Sequence, residues 1–304
     1  MLIKSADDKS KRVALLEDLQ KSTLLDRGQR EWLTDELFRL KRGIQGERDA
    51  AHYLDSYLRD DPDRAVIHDL RISIDGQVAQ IDHLVMSRAM HVYLLETKNF
   101  GGSVHINEQG EFSVQYSGER VFGIESPIEQ SRRHEGPLLK LFVQLGIGGR
   151  VGGAPVLHHC VLVHPKATIH RPKAKGRDTS MVIKADQFRA WHEEFRERAL
   201  GISEAVGALM NMRSAGTLRE LAEKLSRQHR PADLLALPPF MQPREPAPLQ
   251  ISPKRAETTS VGAKKTLVCA TCGSKISYPE GKFCWNNEKR FGGVQYCREH
   301  QAAF

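Results

Sequence analysis

Three strand-like stretches follow one another closely in the first third of the chain and constrain its fold more than any other feature. They cover residues 65–74, 78–86 and 91–97, and each is rich in β-branched and aromatic residues. The pair Asp75-Gly76 between the first two is typical of a tight hairpin. A turn near Arg88-Ala89 would pair the third stretch with the second. We predict a sheet in which the third strand is central, because both of its faces begin apolar.

Helical patterns flank these strands. Apolar residues recur at spacings of three and four between residues 10 and 60, with a break expected near Gly43 or Gly46. Ser126 with Glu129, and Thr217 with Glu220, have the spacing of capping boxes. They predict helices from 126 toward 145, interrupted at Gly136-Pro137, and over 217–230. Another helix is expected over 186–198, and further strands over 103–106, 111–116, 156–164 and 181–183. This order predicts an α/β core with a mixed sheet.

Composition divides the chain into four parts. We predict a helical extension over residues 1–40, a main domain over 41–230 and a small module over 266–304. Between the last two, residues 231–265 contain seven prolines and are interpreted as a linker. No apolar run is long enough to cross a membrane, and the first eleven residues lack the apolar core of an export signal. We therefore expect a cytoplasmic protein without a membrane partner.

Charge favours one class of partner without requiring it. The 304 residues carry a net charge of +7. An excess of lysine and arginine suits a polyanion such as nucleic acid, because binding releases counterions from the phosphates. A merely basic surface explains the same excess equally well.

The third strand ends in a charged sequence that a buried position would not tolerate without a partner. Glu96 and Lys98 share a face with the apolar residues before them, so their burial requires pairing or a metal ion. In an antiparallel pair, Asp82 lies opposite Leu95 or Glu96. Asp82, Glu96 and the Thr97 carbonyl then form an oxygen site that suits Mg²⁺ or Mn²⁺. Lys98 could orient a water and stabilise charge on phosphorus. A surface ion pair near a turn is the alternative.

Two other polar residues are candidates for the same site. Glu47 lies on the apolar stripe of its helix, where it is either an edge residue or a site residue. Gln130 lies near a helix start, where it could hold a phosphate or a water, or serve the structure only.

These residues fall in four motifs that together resemble one family. The motifs are Gly43-x-x-Gly46-Glu47, the strand 80–85 around Asp82, Glu96-Thr97-Lys98-Asn99-Phe100-x-Gly102, and Pro127-x-x-Gln130-x-x-x-His134. Between about residues 40 and 163 the chain resembles the nuclease-related domain (NERD) family of the PD-(D/E)XK nuclease-like superfamily. The resemblance implies a restriction-endonuclease-like α/β/α core. It also implies a site of Glu47, Asp82, Glu96, Lys98 and Gln130.

Four of the five cysteines lie within the last forty residues. Cys269-x-x-Cys272 and Cys297-x-x-His300 form two short chelating pairs, the usual way to assemble a structural Zn²⁺ site. Cys284 either replaces His300 as a ligand or is a packed thiol. The apolar residues between the pairs are expected to form a small core, namely Ile276, Tyr278, Phe283, Trp285, Phe291, Val294 and Tyr296. The module resembles a zinc ribbon, and its aromatic and basic residues could contact nucleic acid or serve only folding and protein docking.

Two functional hypotheses follow from these features. The first is a Mg²⁺-dependent nuclease, hydrolysing phosphodiester bonds in DNA or, as a further reading, in RNA, with the zinc module aiding substrate binding. The second is a non-catalytic nucleic-acid-binding or adaptor protein that keeps the nuclease fold. A protein partner could dock on the zinc module or on the N-terminal helix.

Overall fold

The computed structural model describes residues 1–116, 120–172, 178–199, 202–242 and 267–304. Two compact units divide the chain, one within Met1–Gln242 and one within Pro243–Phe304. Strands of the first unit are β1 (Leu2–Lys4), β2 (Arg64–Ile74), β3 (Gln77–Ser87), β4 (His91–Lys98), β5 (Ser103–Ile106), β6 (Phe112–Gln115), β7 (Val121–Ile124), β8 (Val156–Val163), β9 (Ile169–His170) and β10 (Val182–Lys184).

Helices occupy both units. Those of the first unit are α1 (Ser10–Gln20), α2 (Arg27–Leu58), α3 (Pro127–Arg133), α4 (Glu135–Leu145), α5 (Phe188–Ala199), α6 (Ile202–Asn211) and α7 (Ala215–Ser226). Those of the second unit are α8 (Tyr278–Asn286), α9 (Glu288–Phe291) and α10 (Arg298–Gln301). Among the described residues, no helix combines the length and apolar character that crossing a membrane demands.

The main sheet is mixed, as the order of elements predicted. Its strands lie in the order β1-β2-β3-β4-β8-β10, with β2, β3 and β4 antiparallel and the other neighbours parallel. A smaller sheet has the order β7-β6-β5-β9. The central position predicted for the third strand is confirmed, since β4 lies between β3 and β8.

Helices cover both faces of the main sheet and form an α/β/α arrangement. On one face, Leu84 and Leu94 pack in a cluster with Leu138 of α4 and Leu225 of α7. On the other face, the buried side chains of α2 and α5 pack against the sheet, among them Leu54 and Phe188. Burial of these apolar surfaces is the main stabilising contribution to the fold.

The hairpin predicted at Asp75-Gly76 is confirmed. Both residues have positive φ angles, 50° and 73°, the conformation that a two-residue type I′ turn requires. The strands on either side pair from Ile74–Gln77 to Arg64–Ser87. The bounds of the predicted strands differ from the observed ones by at most one residue at either end.

The break predicted near Gly43 or Gly46 is wrong. Helix α2 runs unbroken through both glycines, and the chain breaks instead before Asp26, whose side chain caps α2. Gly46 serves a close contact, because a Cβ atom there would lie 2.6 Å from Cβ of Asn99. The predicted boundary at residue 40 falls inside α2, and the first residues add β1 to the sheet edge.

Two helix starts also differ from the prediction. The predicted interruption at Gly136-Pro137 lies at His134, between α3 and α4. Pro137 explains this displacement, because it has no N–H to donate to the carbonyl four residues earlier. Helix α7 begins after Ser214, which caps it by accepting from the Thr217 N–H, so Thr217 is not the cap. Strand β7 and helix α6 were not predicted.

The first residues of the predicted linker are part of the first unit. Met241 is buried against Leu16 and Leu33, and Phe240 contacts Trp32 edge to face. These apolar side chains hold residues 231–242 on α1 and α2 despite the prolines among them. The rest of the predicted linker, residues 243–265, lies outside the described residues.

Candidate functional site

Asp82 and Glu96 lie where strands β3 and β4 separate. The hydrogen-bonded ladder between these strands ends at the pair His83–Leu95, so Asp82 and Glu96 occupy the next opposed positions. In place of a further backbone pair, the Thr97 N–H donates to Oδ2 of Asp82 at 2.7 Å. The opposition predicted between Asp82 and Leu95 or Glu96 therefore matches the register.

The neighbouring strand is irregular at the same level. Asp69 of β2 lies between the pairs His68–His83 and Leu70–Ile81, opposite Asp82, and has a φ of 52°. A positive φ is unusual for a residue with a side chain. Ile67 and Leu70 pack on the same face of the sheet although they are three residues apart. The side-chain alternation thus shifts by one residue beside Asp82.

Glu96 and Lys98 project toward helix α3. The Lys98 ammonium lies 2.7 Å from Oε1 of Glu96 and donates to Oε1 of Gln130 at 2.9 Å. Glu96 is only 3% exposed. Gln130 reaches this position because Ser126 caps α3 and fixes its start beside the sheet. The structure therefore places Lys98 in direct contact with both Glu96 and Gln130.

The electrostatic setting disfavours negative charge at both acidic residues. Burial raises the pKa of Asp82 well above its usual value, and the nearby charges of Glu96 and Glu47 raise it further. Burial also raises the pKa of Glu96, although Lys98 opposes this effect. A cation bound between these carboxylates would remove the penalty, so the donor set fits a hard divalent ion.

Helix α2 carries Glu47 to the opposite side of the same sheet end. The helix is fixed there by Asn99, whose side chain donates to the Arg42 carbonyl and whose own carbonyl accepts from the Arg42 guanidinium. Glu47 forms an ion pair with Lys9 at 2.6 Å. Glu47 was expected to be either an edge residue of its helix or a residue of the site. Its negative charge raises the pKa of Asp82, which favours a position near the site.

Sequence reasoning missed two charged residues at this sheet end, Lys9 and Asp69. Lys9 lies 3.4 Å from Asp69 as well as beside Glu47. Burial disfavours the charge on Lys9, but the two carboxylates outweigh this effect and raise its pKa. Asp69 could have been suspected, since it is an aspartate inside a strand of apolar residues. No local signal marks Lys9.

A series of hydrogen-bond contacts through two buried histidines links the Thr97 side chain to helix α2. Its hydroxyl lies 3.1 Å from Nε2 of His83, whose Nδ1 lies 2.8 Å from Nδ1 of His68. Nε2 of His68 lies 3.1 Å from Oδ1 of Asp55 in α2. This chain of contacts crosses three strands and ends on the helix that carries Glu47.

The second unit contains the predicted group of metal ligands. One ligand atom from each of Cys269, Cys272, Cys297 and His300 lies within 4.8 Å of the others. Gly273 has a φ of 69°, and its N–H donates to the Cys269 carbonyl, so the first pair sits on a tight turn. This Cys₃His cluster could bind a metal ion such as zinc.

Cys284 lies outside this group of ligands. It is buried, and its sulfur accepts from the Tyr296 N–H and from the Gln301 side chain. These contacts match the reading of Cys284 as a packed thiol.

The aromatic residues of the second unit do not all form a core, contrary to expectation. Ile276 and Phe291 are buried, whereas Tyr278, Phe283 and Trp285 are 43–65% exposed. Helix α8 is short and can turn only one side inward, so its other aromatic residues face solvent.

Comparison with known proteins gives one family match. Residues 42–165 match the sequence model of a family described as nuclease-related domain. No curated protein and no solved structure matches the chain. The matched segment contains Glu47, Asp82, Glu96, Lys98 and Gln130. Residues 42–165 therefore match the nuclease-related domain (NERD) family.

Proposed function

We propose that the protein is a metal-dependent nuclease that hydrolyses phosphodiester bonds, with DNA as its substrate. The observation that carries the proposal is the separation of β3 and β4 at Asp82 and Glu96. It leaves two carboxylates side by side, with Lys98 in contact with one of them. Together with the nuclease-related family match, this arrangement supports hydrolysis at this sheet end.

Asp82, Glu96 and the carbonyl of Thr97 are the proposed ligands of Mg²⁺ or Mn²⁺. A divalent ion bound there would supply Lewis acidity and a water of lowered pKa. The Thr97 N–H keeps the Asp82 carboxylate oriented, and Glu47 adds negative charge nearby. We assign Lys98 to stabilise charge on the phosphate, and Gln130 to hold Lys98 in place.

The zinc module is proposed to help bind nucleic acid. Exposed aromatic rings such as Tyr278 and Trp285 can stack on bases, and exposed Lys282, Lys289 and Arg298 can contact phosphates. Docking of a protein partner there, or on the N-terminal helix, is the alternative. We also propose a cytoplasmic location, because thiolate metal clusters persist where thiols are kept reduced.

A second candidate function is binding of nucleic acid without cleavage. The observation that favours it is that two carboxylates of the site are already neutralised without a metal ion. Lys98 forms an ion pair with Glu96, and Lys9 forms one with Glu47. Either function is compatible with a nuclease-fold domain followed by a separate zinc module over residues 266–304.

A cleavage assay separates the two functions. The full chain is incubated with single-stranded, duplex and branched DNA and with RNA, with Mg²⁺, with Mn²⁺ or with EDTA. A nuclease gives metal-dependent products, which Glu96→Gln and Lys98→Met each reduce at least about a hundredfold. Glu108→Gln and Lys11→Met, which change exposed residues of the same types, serve as controls. Wild-type cleavage in the Glu96 and Lys98 variants would refute the site, and binding without cleavage would favour the second function.

A further inference from the structure

The N-terminal segment brings Lys9 to the candidate site along a defined path. Strand β1 pairs in parallel with β2 at the sheet edge. Beyond it, the Asp7 N–H donates to Oδ2 of Asp69 at 3.3 Å, and the Asp7 carboxylate accepts from His229 at 2.7 Å. These contacts hold the segment between β1 and α1 against β2 and His229, so the fold fixes the position of Lys9.

Lys9 bridges two carboxylates that belong to different elements. Its ammonium lies 2.6 Å from Oε2 of Glu47 on α2 and 3.4 Å from Oδ2 of Asp69 on β2. The Lys9 side chain is 19% exposed and that of Asp69 only 4% exposed. An ammonium held between carboxylates in such a partly buried place occupies a position where a metal ion could otherwise bind.

The net charge of the ionisable groups considered at this sheet end equals, with opposite sign, the charge of one divalent ion. Four carboxylates lie there, those of Glu47, Asp69, Asp82 and Glu96, and two lysines pair with them, Lys9 with the first two and Lys98 with the last. With all six groups ionised, two negative charges remain. One divalent cation neutralises them, whereas two would leave an excess of two positive charges in a partly buried site. Without the charge of Lys9, two divalent cations would leave an excess of only one.

We propose that Lys9 is a positioning residue that substitutes for a second cation between Glu47 and Asp69, and so limits the nuclease site to one divalent ion. The proposal rests on the proposed function, because it assumes that Asp82 and Glu96 hold the first ion. Glu47 is then kept out of the ligand set and acts through its charge and its contact with Lys9. The N-terminal segment thereby takes part in defining the metal content of the site.

Counting bound Mn²⁺ tests this role without measuring activity. The full chain, supplied with an equivalent of Zn²⁺ for its cysteine cluster, is titrated with Mn²⁺, and bound ions are counted by electron paramagnetic resonance and calorimetry. We expect one Mn²⁺ in the wild type, in Lys9→Arg and in the control Lys11→Met, and two in Lys9→Met. Lys9→Gln should also bind two, and it covers the case in which Lys9→Met does not fold.

The outcomes separate this proposal from the proposed function. Asp82→Asn should abolish Mn²⁺ binding, and if the wild type binds none or Asp82→Asn binds as well as the wild type, the nuclease site itself is wrong. If the wild type binds one ion that depends on Asp82 but both folded Lys9 variants also bind only one, the role of Lys9 is refuted alone. Two ions in the wild type would refute it as well.

Discussion

The Nδ1 atoms of His68 and His83 lie 2.8 Å apart inside the sheet, so one ring must donate and the other accept. Nε2 of His68 faces the Asp55 carboxylate, which can only accept when ionised. Burial lowers the pKa of both histidines, more strongly that of His83, so both rings are neutral near pH 7. His83 therefore donates to His68, and the Thr97 hydroxyl donates to His83.

Interrupting this chain should destabilise the protein. His83→Leu leaves the buried Nδ1 of His68 and the partly buried hydroxyl of Thr97 without their partner, at a cost of about 1–3 kcal/mol in the free energy of unfolding. Chemical denaturation monitored by circular dichroism measures the change. His52→Leu, a substitution on the exposed side of α2, should change stability by less than about 0.5 kcal/mol. Equal losses in both variants would show that the chain has no special role.

Acid should destabilise the fold through buried histidines. Burial lowers the pKa of His158 to about 4 and that of His192 to about 3. The unfolded chain, with histidine pKa values near 6.5, therefore binds more protons between that pH and these lowered values. We expect the melting temperature to fall steadily as the pH is lowered from 7 to 4.5.

His192→Phe tests the source of that acid sensitivity. Nε2 of His192 is buried without a hydrogen-bond partner among the described residues, and its ring stacks on Phe188 at 5.5 Å. A phenyl ring can keep the stacking and cannot be protonated. Because the Tyr57 hydroxyl, 3.3 Å from Nδ1 of His192, loses this partner, the variant should be less stable than the wild type by about 0.5–1.5 kcal/mol at pH 7.5. It should lose less further stability when the pH is lowered to 4.5. An unchanged pH profile would assign the acid sensitivity to other groups.

Asp82→Asn should have opposite effects with and without metal ion. Because the pKa of Asp82 is raised in the folded state, its ionisation costs stability as the pH rises above its unfolded value near 3.8. The amide removes this cost, so at pH 8 in EDTA the variant should be more stable than the wild type. Added Mg²⁺ should raise the melting temperature of the wild type but not of the variant. A variant that Mg²⁺ stabilises equally would contradict the assignment of Asp82 as a ligand.

Two glycines of α2 offer a matched pair of substitutions. A Cβ atom at Gly46 would collide with Asn99, whereas nothing lies within 4 Å of a Cβ atom at Gly43. Gly46→Ala should destabilise by about 1–3 kcal/mol and displace Glu47, with loss of Mn²⁺ affinity. Gly43→Ala should be neutral or stabilising by up to about 1 kcal/mol. Similar melting temperatures for both variants would argue against the close contact between α2 and the end of β4.

Metal analysis distinguishes the cysteines of the second unit. Protein purified without added metal should contain about one zinc ion per chain. Cys272→Ser should lose it, because the residue belongs to the ligand group, whereas Cys284→Ala should retain it. Retention in the first variant with loss in the second would exchange the roles of these cysteines.

Local patterns predicted the parts of the fold that rest on neighbouring residues. The hairpin at Asp75-Gly76 and the central strand β4 follow from turn chemistry and side-chain alternation, which act over a few residues. The opposition of Asp82 to Leu95 or Glu96 followed from the turn predicted near Arg88-Ala89, which pairs β3 with β4. Residues that meet only in the folded chain were not predictable in this way, and Lys9 lies 38 positions before its partner Glu47.

Other predictions were wrong because the same residue type can serve two structural roles. Gly46 was interpreted as a helix break, but its missing side chain admits Asn99, and only the packed structure distinguishes these uses. The prolines after residue 230 suggested an extended linker, while Phe240 and Met241 bind the first part of that segment to α1 and α2. In both cases tertiary packing outweighed a local preference.

The compact unit that contains the main sheet is larger than the segment that matches the nuclease-related family. Residues 42–165 omit β1 and β10, the first half of α2, and the helices α5 and α7 that cover the two faces of the sheet. A fragment trimmed to those limits would expose the apolar surfaces that Phe188 and Leu225 now bury. It would also lack Lys9. Recombinant work on the nuclease-related domain should therefore begin at residue 1 and extend at least through Met241.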